Sequence, residues 1–227
     1  MLRTVSLLFV FLSLTSCGGS GGGSSDGAPA ASSASTTKST AESLKSLMGE
    51  EISIEAPVPT AALNFEVDVD LHNFDSRQED KVLEAADLIK RVVASEEFKN
   101  RILNHKVKGR RVFYDNEGLT NAQIYKRILS GSESLSPGSD NKMNLELEVF
   151  QDSTNTVGFT YPDTHRIWMN KKYLNKNEAW KVTTNMMHEW LHKLGFKHDR
   201  SETPMRKYSV PYAIGYLVAE LAKKEFL

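Results

Sequence analysis

The chain has 227 residues, 40% of them hydrophobic, and a formal net charge of -1. That length and apolar content suit one good-sized core rather than two, and lysines and arginines spread without a dense basic block do not point to nucleic acid as a partner. The single cysteine, Cys17, excludes a disulfide within the chain and a structural zinc built on thiolates.

Arg3 precedes an apolar run from Val5 to Leu12, too short to span a bilayer as a mature helix and right for a secretory signal. Leu14-Thr15-Ser16-Cys17 resembles the lipobox of bacterial lipoproteins. The resemblance implies that residues 1–16 are removed and that Cys17 carries lipid. The cell envelope is the expected location, and the outer membrane where two membranes exist, because Gly18 rather than an aspartate follows the cysteine. Gly, Ser, Ala and Thr dominate from Gly18 to about residue 43, a composition that cannot offset ordering entropy. Residues 17–60 are therefore expected as a flexible tether and residues 61–227 as one folded domain, a monomer.

In that domain Phe65, Val67, Val69 and Leu71 alternate with polar residues as a half-buried strand. Ser76 with Glu79 reads as a capping box opening a helix whose apolar face is Val82, Ala85, Ala86, Ile89, Val92 and Val93. A short helical piece from Ser95 carries Phe98 and Ile102, and a second strand is expected over Arg110–Tyr114. Thr120 with Gln123 starts a further helix that Gly131 closes, and residues 132–141 read as a loop. Met143, Leu145, Leu147 and Val149 alternate again. Two short strands, 157–161 and 166–170, flank the turn Pro162-Asp163-Thr164-His165. Asn175 with Glu178 opens a long helix, and Pro211 fits the first turn of a last one bearing Ile214, Leu217, Val218 and Leu221. The order predicts an α+β fold.

The long helix carries the chemistry, in His188-Glu189-Trp190-Leu191-His192-Lys193-Leu194-Gly195-Phe196-Lys197-His198-Asp199. His188 and His192 are four apart and project from one helix face. Gly195 ends the helix in a left-handed conformation that costs glycine nothing, so the chain turns back and returns His198 to the same point. Three neutral imidazoles with an open fourth position are what one catalytic Zn2+ requires, and Glu189 is the carboxylate available as general base. Neither a solvated face nor a packed core calls for that spacing. His72, His105 and His165 lie apart from the cluster and receive no role, and Trp168 and Trp190 read as packing residues.

The string H-E-x-x-H-x-x-G-x-x-H resembles the zinc signature of the metzincin metallopeptidases, and the following Asp199 is similar to the reprolysin subgroup. The resemblance implies a metzincin-like domain with a mixed twisted sheet, His188, His192 and His198 as zinc ligands, and hydrolysis of peptide bonds by zinc-activated water with Glu189 as general base. It also implies an edge strand, here around Val157–Tyr161, that pairs with an extended protein or peptide substrate. One feature departs from the family. Aligning Tyr212 with the tyrosine that astacins place after the methionine turn puts Val210 at the methionine position, with Met205 the other candidate. Tyr212 either reaches the metal or stabilises an oxyanion, or it simply packs at a helix start. Alternative readings are a zinc-binding surface lipoprotein without turnover and a cell-wall peptide hydrolase.

Overall fold

Alternation of apolar and polar residues builds the sheet, and the sheet explains where every helix must go. The structure, a computed structural model, describes residues 64–225. The expected signal segment 1–16, Cys17 and the tether to residue 60 lie outside the described residues. Four strands, β1 (Glu66–His72), β2 (Lys142–Phe150), β3 (Gly158–Thr160) and β4 (Arg166–Asn170), form one mixed sheet in the order β1-β2-β4-β3. β1 and β4 both run parallel to β2, and β3 closes one edge antiparallel to β4. Parallel neighbours need a crossover connection. The one between β1 and β2 contains three helices: α1 (Ser76–Val93), α2 (Glu96–Leu103) and α3 (Asn121–Ser130). After β4 come α4 (Lys171–Lys176), α5 (Ala179–Lys193), a 3-10 turn (Arg206–Tyr208) and α6 (Val210–Glu225). The architecture is α+β, as expected, with six α-helices among the described residues.

In register, Met143, Leu145 and Leu147 of β2 and Ile167 and Met169 of β4 all point to one face and are buried. Against that face pack Val82, Ala85, Leu88, Ile89 and Val92 of α1 and Met186, Met187, Trp190 and Leu191 of α5. Burying each large aliphatic or aromatic side chain stabilises by roughly 1.5–3 kcal/mol. Trp190, fully buried and edge-on to Phe65 at 6.1 Å, is the central piece, which makes it a packing residue as expected. Trp168 points the other way, stacked on Phe159 at 5.1 Å. Trp180 is only partly buried, with the Lys223 ammonium over its ring at 4.5 Å. Among the described residues no helix is long and apolar enough to cross a membrane.

Three expected boundaries are corrected. The residue that caps α1 is Asp75, not Ser76: its side chain accepts from Gln78 N, and the Gln78 side chain accepts from Asp75 N at 3.1 Å. No strand forms over Arg110–Tyr114. Lys108 (φ 49°) and Gly109 (φ 80°) turn the chain tightly, Asp115 (φ 48°) turns it again, and between them there are only isolated bridges: Arg110 pairs back onto Val107 across the turn, and Tyr114 donates N–H to Tyr208 O at 2.9 Å. Asn175 does not open the long helix. It lies in the last turn of α4, a separate helix before α5: the Leu174 carbonyl accepts from Lys81 at 2.8 Å, Asn175 Oδ1 accepts from Gln78 at 2.8 Å, and the chain is extended at Asn177 and Glu178. The pattern at Thr120 and Gln123 forms the expected capping box, and Gly131 closes α3 at φ 66°.

Candidate metal centre

α5 delivers two of the three histidines and its own end delivers the third. The helix finishes in a Schellman arrangement: Gly195 N donates to His192 O at 3.0 Å, and Phe196 N donates to Leu191 O at 3.1 Å, with Gly195 at φ 91°. That left-handed residue reverses the chain so that His198 meets His188 and His192. The ring centroids lie 4.9 to 5.1 Å apart, and one ligand atom from each residue falls within 4.8 Å of the others. Among the described residues this is the one such cluster, and His72, His105 and His165 are outside it.

Each imidazole is oriented by a backbone carbonyl. Nδ1 of His192 bonds the Phe196 carbonyl at 2.7 Å, and Nδ1 of His198 bonds the Asp199 carbonyl at 2.8 Å. The Pro211 carbonyl faces His188 and opposes the lowering of its pKa, while His188 Nε2 lies 3.2 Å from His198 Nε2. With Nδ1 of His192 and of His198 committed in this way, their Nε2 lone pairs are the ones presented inward, the usual second-layer pattern of metal-ligating histidines. The 3.2 Å separation is near the edge of a tetrahedron with zinc–nitrogen bonds of 2.0–2.1 Å, about 3.4 Å. Two facing acceptors at that distance repel unless a proton or a cation lies between them. The residues present therefore fit a bound metal ion.

The electrostatics point the same way. Burial, then the neighbouring imidazoles and Arg206, hold His188 well below its ordinary pKa. Burial takes His192 down to about 4 against the opposing pull of the Phe196 carbonyl. Neutral imidazole is the form that binds metal.

Glu189, next to His188 on α5, is buried, 6% exposed. Burial pushes its carboxyl up to about 7, opposed by the Lys193 charge and a hydrogen bond from Asn185. Lys193 itself is only 6% exposed, and its ammonium donates to the carbonyls of Tyr161, Thr164 and Arg166, binding the β3–β4 turn to the histidine helix. On the far side of α5, Trp190 donates its indole N–H to Glu133 at 2.8 Å.

The first turn of α6 roofs the cluster. The Tyr212 ring lies 4.5 Å from that of His188 and 4.8 Å from that of His198, with the Arg206 guanidinium over its other side at 4.7 Å. Burial raises the Tyr212 phenol pKa. Gly215 permits the approach of this helix: a Cβ there would lie 2.9 Å from Thr184 O and 3.5 Å from His188 Cβ. Val210 is fully buried in the core, whereas Met205 is half-buried at the start of the 3-10 turn. Of the two candidates for the methionine position, only Val210 is a core residue. Asp199 accepts from Thr203 Oγ1 at 2.9 Å and from Tyr114 Oη at 3.4 Å, which braces the loop beyond His198.

The expected residues His188, Glu189, His192, His198 and Tyr212 are thus brought together. Asn185, Lys193 and Glu133 were not singled out from sequence, although the four-residue spacing of Asn185 and Glu189 on one helix is a readable signal. No protein-family model matches the chain, and no curated protein gives a significant match to it.

Proposed function

We propose that this chain is a zinc-dependent endopeptidase of metzincin type, displayed at the bacterial cell envelope on lipid at Cys17. The observation that carries the reading is the convergence of three carbonyl-oriented imidazoles on one point beside a buried carboxylate. Zinc bound there supplies Lewis acidity and lowers the pKa of a water ligand toward neutrality. Hard cations favour oxygen donors, so an all-imidazole set favours zinc over calcium or magnesium.

The remaining work falls to the protein's own groups. His188, His192 and His198 would hold the ion, and a three-histidine set is that of catalytic rather than closed structural zinc sites. Glu189, poised near neutral pH by burial, takes the proton of the attacking water and passes it to the leaving amine. The Tyr212 phenol, kept protonated by burial and with its ring against His188, would donate a hydrogen bond to a developing oxyanion. β3 is a sheet edge, and its free backbone groups suit an extended peptide added as a further strand. Such pairing recognises backbone more than side chains, which suits a protein or peptide substrate.

The test is cleavage of casein by the zinc-loaded protein. The expected result is cleavage that a chelator abolishes and added zinc restores. Stoichiometric zinc with no cleavage of casein or a broad peptide library would defeat the reading in favour of a zinc-binding lipoprotein, and release of cross-bridge peptides from purified peptidoglycan without casein cleavage would make the protein a cell-wall hydrolase.

A further inference from the structure

Asn185 stands on α5 four residues before Glu189, on the same helix face, and its Nδ2 donates to Glu189 Oε1 at 3.3 Å. Among the described residues no other side chain hydrogen-bonds that carboxylate. Lys193, whose charge also acts on Glu189, has its ammonium committed to three backbone carbonyls instead.

The other side of the Asn185 amide rests against the edge strand. A Cβ built on Gly158 would lie 2.4 Å from Asn185 Oδ1, 2.7 Å from Nδ2 and 2.8 Å from the Trp168 carbonyl oxygen. Any side chain at 158 would drive the amide from its place. Gly158 is a notch in β3, and Asn185 fills it. The filling is a poor choice for packing alone. Asn185 Oδ1 is buried and takes no hydrogen bond among the described residues. A buried acceptor left without a partner costs about 1–3 kcal/mol, and an apolar side chain in the notch would avoid that cost. What an apolar residue cannot do is donate to Glu189.

We infer that Asn185 is the positioning residue of Glu189. The terminal torsion of a glutamate is broad and roughly two-fold, so a carboxylate without a partner does not hold one plane. The Asn185 amide fixes Oε1, sets that plane, and leaves Oε2 to carry the proton. Because the same amide seats in the notch of β3, the orientation of the base is tied to the strand that pairs with substrate. The assignment rests on the reading of Glu189 as general base.

The experiment uses the full-length chain loaded with zinc and a defined peptide taken from the casein digest. Asn185→Leu keeps the bulk and loses the donor without adding a charge; Asn185→Ala loses both. Positioning predicts that both variants retain zinc, keep KM within about threefold and lose kcat by roughly 10–100-fold, a part of the roughly 100- to 10,000-fold that general-base catalysis contributes. A packing role predicts instead that Asn185→Leu, which fills the notch without a charge, turns over as wild type, and a wild-type kcat in that variant overturns the inference. A second readout needs no turnover: the Asn185 side-chain amide resonances, assigned by their loss in Asn185→Ala. They are expected to move in Glu189→Ala while other asparagine amides stay. If they do not respond, the inference fails even where kcat falls. If they respond in a protein that cleaves nothing, the endopeptidase reading fails and the Asn185–Glu189 pairing stands.

Discussion

Replacing Glu189 by Gln separates its chemical role from its structural cost. Gln has nearly the shape of Glu, still accepts from Asn185, and carries no proton to exchange. Turnover is expected to fall at least about 100-fold with zinc retained, because general-base catalysis typically contributes that much or more. Stability should move in the opposite direction. In the chelated protein the carboxyl titrates at about 7 instead of 4.5, so the fold holds its proton over a range where the unfolded chain has released it. A folded-state pKa raised above the unfolded one means that stability falls as pH rises from 4.5 through 7. At 1.36 kcal/mol per unit of pH, the whole interval is worth roughly 3 kcal/mol. Gln pays none of this, so Glu189→Gln should match wild type near pH 4.5 and exceed it by roughly 3 kcal/mol at pH 8. At about 2–4 °C per kcal/mol for a domain of this size, the gain in Tm at pH 8 is about 6–12 °C. Thermal melts with chelator at the two pH values measure it. Equal gains at both, or none at either, would refute the claim that Glu189 is held as a buried acid.

The histidines give the opposite pH signature. With His192 held at about 4 against an ordinary 6.5, the chelated protein has its full contribution above 6.5 and loses it as pH falls toward 4. Urea midpoints should show His192→Asn sparing roughly 3 kcal/mol of that loss, and parallel curves would contradict it. Lys193→Met strands the carbonyls of Tyr161, Thr164 and Arg166, and should cost about 2–4 kcal/mol with faster amide exchange across the β3–β4 turn; unchanged exchange there would refute the clamp. Gly215→Ala forces α6 away from Thr184 O and His188. The expected cost is about 1–3 kcal/mol together with weaker zinc binding in a competition titration, and full zinc affinity would show that the roof over His188 is not set by this contact.

The metal cluster was legible because its geometry is local. Four-residue spacing on a helix and a glycine at the helix end fix where His188, His192 and His198 meet, whatever the rest of the fold does. The alternating strands and the capping box at Thr120 were readable for the same reason. What sequence missed depends on distant partners. Arg110–Tyr114 has strand-like residues, but the Tyr114 backbone forms only an isolated bridge to the 208–209 segment, and turns on both sides leave no room for a ladder. The long helix starts at Ala179 rather than Asn175, because Asn175 belongs to α4, where Lys81 takes the Leu174 carbonyl and Gln78 holds the Asn175 side chain. Glu133, read as part of a loop, is 3% exposed because Trp190 needs an acceptor for its buried indole N–H. Lys193 looks like a surface residue within the motif and is buried only because three carbonyls of a turn converge on its ammonium.

X-ray absorption at the zinc edge of the loaded protein tests the centre most directly. Three imidazole nitrogens at about 2.0–2.1 Å and one light oxygen ligand are predicted, with the imidazole contribution falling to two in His198→Ala. A fourth protein ligand closing the shell, or a spectrum unchanged by that substitution, would contradict the account.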